Sequence, residues 1–173
     1  MIKLRPAVLS DFKAIAKLHA DNWRKNYRGI LSDNYLDNEL EKDRVDTWYK
    51  RLCSPSENQT ITIATLDNNL AGFCCLYFDD DAIFGSLLDN LHVSSHLQRT
   101  GIGKLLVTDC GSKVYERAQN KKMYLWVYES NKNARIVYER LGGTNFETMD
   151  KENVDGTSSK TCRIVWDDVT KLL

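Results

Sequence analysis

The apolar positions change period several times along the chain, and each change marks an element. Ile2 to Arg5 reads as a short strand, after which Phe12, Ile15, Ala16 and Leu18 fall at helical spacing up to about Trp23, with Ser10 in an N-cap position. The pattern breaks around Tyr27-Arg28-Gly29-Ile30-Leu31. Ser32 then offers a cap for a second helix carrying Leu36, Leu40, Val45, Trp48 and Leu52. From Thr60 the β-branched residues of Ile61 to Thr65, a turn at Asp67-Asn68-Asn69 and the run Ala71 to Phe78 predict a hairpin. Asp79 to Asp81 reads as a solvated acidic turn, followed by a strand over Ser86 to Val93. A third helix is expected with Ile102, Leu105, Leu106, Cys110 and Val114 on one face. Met123 to Tyr128 is strand-like, Asn131 to Leu141 a short helix, and Thr144 to Glu147 with Thr161 to Trp166 a last strand pair. The polar stretch Asp150 to Lys160 between them is expected to be a mobile loop.

The 173 residues show no repeat, low-complexity tract or linker, so one domain spanning 1–173 is expected. Lys and Arg number 24, as do Asp and Glu, for a formal net charge of zero. That balance provides no field to hold a nucleic-acid backbone or an anionic membrane. No apolar run reaches the roughly 18 residues of a membrane span, and no signal pattern opens the chain, so a cytoplasmic protein is expected. Cys53, Cys74, Cys75, Cys110 and Cys162 form no C-x-x-C pair and lie mostly in apolar stretches, which predicts reduced core cysteines and no metal site.

The chemistry concentrates at Gln98-Arg99-Thr100-Gly101-Ile102-Gly103, a glycine turn between a strand and a helix. Such a turn aims unpaired backbone N–H groups at one point, at the positive end of the helix dipole, and suits a phosphate or pyrophosphate. A Walker A loop is excluded, because Gln98 stands at its first glycine and Leu105 at its final Ser/Thr. A dinucleotide fingerprint is excluded because Leu106 replaces its third glycine. Gln98-x-x-Gly101-x-Gly103 instead resembles the Q/R-x-x-G-x-G/A signature of the GNAT superfamily of acetyl-coenzyme A dependent N-acetyltransferases. Asn131 to Gly143 resembles that family's pattern N-x-x-A-x-x-[FY]-Y-x-x-x-G-F, with Val137 and Gly143 departing from it at packing positions. The segment Trp23 to Leu31 is also similar to a subgroup of these enzymes.

The resemblance implies a mixed α/β fold with a mostly antiparallel twisted sheet of about seven strands and about four helices, the fourth and fifth strands splayed. It implies acetyl-coenzyme A (acetyl-CoA) as cosubstrate. The pyrophosphate would lie on the backbone from Gln98 to Lys104, with Arg99 and Lys104 as extra charges. The pantetheine arm would lie along the main chain of Leu91, His92 and Val93, near Asn131 and Ala134. Tyr138 matches the family tyrosine that protonates the departing thiolate. A phenol, at about 10, remains protonated at neutral pH and has a proton to give, while an amine near 10.4 must first lose one.

For that base Asp89 is the first candidate, since strand alternation puts it on the face of Leu91 and Val93 with His92 opposite. Glu129 and His19 follow. The acceptor, a primary amine of a small molecule or peptide, is expected among Trp23, Tyr27, Arg28 and Trp126, with Phe78 another candidate for the floor. The alternative function is a module that binds or senses acyl-CoA without transferring it. No nucleic-acid or membrane partner is expected, and a homodimer is an option.

Overall fold

A computed structural model describes all 173 residues. Seven strands form one sheet: β1 (Ile2–Pro6), β2 (Gln59–Leu66), β3 (Asn69–Asp81), β4 (Gly85–Val93), β5 (Met123–Tyr128), β6 (Thr144–Glu152) and β7 (Ser158–Trp166). Their order is β1-β2-β3-β4-β5-β7-β6. Every pair is antiparallel except β4–β5, which is parallel. Four helices accompany the sheet: α1 (Phe12–Asn26), α2 (Leu40–Cys53), α3 (Ile102–Arg117) and α4 (Lys132–Arg140).

β3 explains the layering. Ala71 to Leu76 are all buried because helices cover both faces of the sheet there. Cys74 and Leu76 pack in the larger cluster with Ile102, Leu106 and Cys110 of α3. Phe73 and Cys75 pack on the other side with Ile15 of α1 and Trp48 of α2.

Several sequence expectations need correction. Ser10 is not a helix cap: a short 3-10 turn, Leu9–Asp11, precedes α1, and the Asp11 carboxylate accepts from the Val8 N–H and from Arg5. Ser32 does cap the second helical arm, its Oγ accepting from the Tyr35 N–H at 3.3 Å, and a π-helical turn at Tyr35–Glu39 leads into α2. Leu105 is 39% exposed rather than on the buried face of α3. Asp79 to Asp81 are not a free turn but the end of β3. Asp79 (φ 46°) accepts from the N–H groups of Gln119 and Asn120, Asp80 from the Tyr124 hydroxyl, and Asp81 from the N–H groups of Ile83 and Phe84. Asp150 to Lys160 is mostly ladder, with Asp150 opposite Lys160 and the hairpin tip tied by Asn153 and Asp155. Cys53 is exposed while the other four cysteines are buried, and all five are free thiols.

Candidate active site

β4 and β5 pair only at Ser86–Met123 and Leu87–Tyr124. Beyond those residues the strands diverge, and the wedge between Leu88–Val93 and Leu125–Tyr128 opens a cavity of about 1130 Å3. β4 itself is bulged. Asn90 lies opposite Cys75 and Leu88 opposite Leu76, leaving Asp89 with no partner. The extra residue breaks the alternation on which the expected face of Asp89 rested. Leu91 and Val93 pack toward α3, but Asp89 turns to α2, where Arg51 Nη1 donates to its Oδ2 at 2.8 Å and to Asn90 Oδ1 at 2.6 Å. His92 does face away from Leu91 and Val93. Its ring lies 5.3 Å from Phe73 and 4.4 Å from His19.

One end of the cavity is the glycine turn. Gly101 has φ 91°, a left-handed conformation that costs a side-chain-bearing residue about 1 kcal/mol or more, and a Cβ there would still meet nothing within 4 Å. The sequence therefore places glycine here for backbone shape. No side chain caps α3, so the first N–H groups of this 16-residue helix face outward with their dipole. Gln98, Arg99, Gly101, Gly103 and Lys104 line the cavity. Thr100 turns its hydroxyl back onto the Leu97 carbonyl at 2.6 Å, and the Ile102 side chain is buried in the core.

The opposite wall is α4. Asn131 caps it, its side chain accepting from the Ala134 N–H at 3.3 Å, and Asn131, Ala134 and Tyr138 all reach the cavity. Tyr138 is 9% exposed and lies edge-on to Trp166 at 6.1 Å. Burial alone pushes its phenol up to about 12. Tyr27 and Tyr128, 4.8 Å apart ring to ring, stand beside it. The Tyr27 phenol is likewise raised, first by burial and then by the neighbouring tyrosines.

The two departures from the family pattern are also explained. A Cβ on Gly143 would come 2.6 Å from Ile164 Cγ2 and 3.0 Å from the Trp166 ring, so Trp166 occupies the space an aromatic side chain would need. Val137, expected to pack in the core, is 44% exposed and faces the cavity.

The structure brings Trp23, Tyr27 and Trp126 to the cavity but not Arg28, whose guanidinium is held outside by Asp33 and Asp37. Phe78 is in the core under Arg117. Glu129 is an exposed turn residue off the cavity wall. His19 is fully buried and accepts from Trp48 Nε1 at 3.0 Å, so it cannot touch an acceptor. His92 remains neutral, pulled down to about 3 by burial and then by Arg44. The cavity residues that carried no motif in the sequence include Asn22, whose Nδ2 donates to the Val93 carbonyl at 3.0 Å, and Arg44 and Arg51 of α2. The spacing of the two arginines, two helical turns apart, was the signal for a shared face.

Residues 14–143 match the family model described as Acetyltransferase (GNAT) family. The chain belongs to this family. The uncharacterized N-acetyltransferase YuaI of Bacillus subtilis is 27% identical over 99% of this chain and 96% of its own length. The GNAT fold recurs in solved structures. PaiA N-acetyltransferase from Thermoplasma acidophilum, in complex with coenzyme A, superposes with a TM-score of 0.71 at 16% identity, covering 95% of this chain and 98% of that one. The structure of yncA from Salmonella typhimurium with acetyl-CoA gives 0.69 at 14% identity, with 96% and 93% covered. As a GNAT acetyltransferase the protein transfers an acyl group.

Proposed function

We propose that this GNAT protein transfers the acetyl group of acetyl-CoA to a primary amine by direct attack in a ternary complex, within one domain formed by residues 1–173. The observation that carries the reading is the continuous cavity joining the uncapped start of α3, the splayed edge of β4 and the buried Tyr138. These residues fit acetyl-CoA. The N–H groups from Gln98 to Lys104, with Arg99 and Lys104, would hold the pyrophosphate, and the β4 edge at Leu91 to Val93, left unpaired by β5, would hold the pantetheine arm with Asn131 and Ala134 opposite. Acetyl-CoA supplies an activated acyl carbon and a thiolate leaving group.

The chain's residues manage the protons. Asp89 has one oxygen on Arg51, and its Oδ1 takes the first proton from the ammonium and passes it to solvent. The amine nitrogen then forms its bond to the acyl carbon while the carbon–sulfur bond breaks. Tyr138 delivers its hydroxyl proton to sulfur, and the second proton shed by the nitrogen restores it through solvent. Trp23, Tyr27 and Trp126 line the acceptor side. Neutral His92 is a wall of that compartment, with its ring orientation supported by Asn22.

Isothermal titration with acetyl-CoA followed by a thiol-release assay over amines tests the reading. Binding together with acceptor-dependent thiol release is expected. Binding without release by any amine would mark a sensing module instead, and no binding at millimolar concentration would overturn both.

A further inference from the structure

The acceptor half of the cavity has an unusual charge inventory. Arg44 is 9% exposed and lines the cavity. Of the five N–H groups of a guanidinium, one donates within the chain, from Nη2 to Asp43 Oδ2 at 2.7 Å, while Nε is enclosed with no acceptor. Asp43 is itself shared with the Tyr35 hydroxyl. A nearly buried cation whose polar neighbours are one shared carboxylate and the Tyr35 hydroxyl is under-compensated, because desolvation is offset only when the remaining donors also find acceptors. The field of Arg44 reaches across the cavity to His92, which it helps to keep neutral. Arg51 is on the same helix face, and its Nη1 donates to Asp89 and Asn90.

The aromatic walls do not invite a cation either. Arg44 stacks 4.7 Å from the Trp23 ring centre, and Lys151 and Arg163 lie 3.8 and 4.4 Å from that of Trp126. The indole faces that would receive a charged amine side chain already hold protein cations. Of the two carboxylates on the cavity wall, Asp89 has Oδ2 on Arg51 and Oδ1 assigned to the reacting amine, and Glu152 is exposed on the outer hairpin, so neither is left for a second cationic group.

We propose that the acceptor is a primary amine that also carries a carboxylate, as an amino acid does, and that Arg44 receives that carboxylate while the amine points to the acyl carbon. The inference rests on the transferase reading above and adds the substrate class to it. Guanidinium and carboxylate match in planarity and charge, so the ligand would supply acceptors to the Nη donors that Asp43 leaves free.

The test compares the twenty L-amino acids with their primary carboxamides, and with spermidine as a cationic amine lacking a carboxylate, in the thiol-release assay. A charged hydrogen-bonded contact predicts that kcat/KM for the acid exceeds that of the matched amide by roughly 10- to 100-fold. Arg44→Met, which keeps the packing against Trp23, should lower the acid's kcat/KM to within about 3-fold of the amide's, since an uncharged group then faces either substrate. Equal use of acid and amide by the wild type, a preference for spermidine, or an equal loss for acid and amide in Arg44→Met would each overturn the proposal and leave the transferase reading intact. If Arg44→Met does not fold, the wild-type acid-to-amide ratio decides alone. Thiol release with no acceptor at all, despite acetyl-CoA binding, would overturn the transferase reading and this inference with it.

Discussion

Replacing Tyr138 with Phe removes one oxygen from the cavity and nothing from the internal hydrogen-bond network, because burial alone shifts the phenol. A proton passing from a phenol at about 12 to a thiolate whose acid lies at about 8.5 in water would move uphill by roughly 3.5 units. At 1.36 kcal/mol per unit, that is about 5 kcal/mol. The same burial raises the thiol and narrows the gap, so in the proposed mechanism the hydroxyl acts mainly by hydrogen-bonding sulfur as its charge develops and completing transfer late. A hydrogen bond to a charged group contributes about 1.5–3 kcal/mol, which predicts a fall in kcat of roughly 10- to 100-fold for Tyr138→Phe. The KM for acetyl-CoA should stay within about 2-fold, since the interaction forms only as the carbon–sulfur bond breaks. Steady-state thiol release gives both parameters, and differential scanning calorimetry should show a melting temperature within about 2 °C of wild type. Unchanged kcat, or a loss confined to KM, would refute the role assigned to Tyr138.

Two further outcomes test the packing. His19 and His92 are both held neutral well below 6.5, chiefly by burial, so the unfolded chain binds protons that the folded chain does not. Stability is therefore full above about pH 6.5 and falls as pH drops toward 5, by up to about 1.4 kcal/mol per pH unit for each histidine. Urea melts should show this slope, and His92→Gln should remove about half of it; a flat profile would contradict the burial. Gly143→Phe, which restores the family residue, should destabilise by about 1–3 kcal/mol because its Cβ would meet Ile164 at 2.6 Å and Trp166 at 3.0 Å. A rise in melting temperature would show that the Trp166 side can yield.

The local elements and the shape of the glycine turn were written in the chain. The strands and helices were legible because their periods are set by burial on one face or both. The glycine turn was legible because backbone shape at Gly101 and uncapped N–H groups at the start of α3 depend on residues adjacent in the chain. Asn131, where the short helix was expected to begin, caps α4 through the Ala134 N–H three residues on, a contact equally local.

The cavity wall proposed here for the acceptor was not legible, because it is assembled from segments far apart in the chain. Strand alternation misplaced Asp89, since the bulge that turns it to Arg51 arises from pairing with β3, and no local pattern in β4 announces it. Arg28 lay in a suggestive stretch but is held outside by Asp33 and Asp37. Arg44, in a helix with no motif, is brought against Trp23 by the packing of α2 on α1. Motifs record chemistry done by neighbours in sequence; which charges share one buried wall is decided only when helices and sheet close on each other.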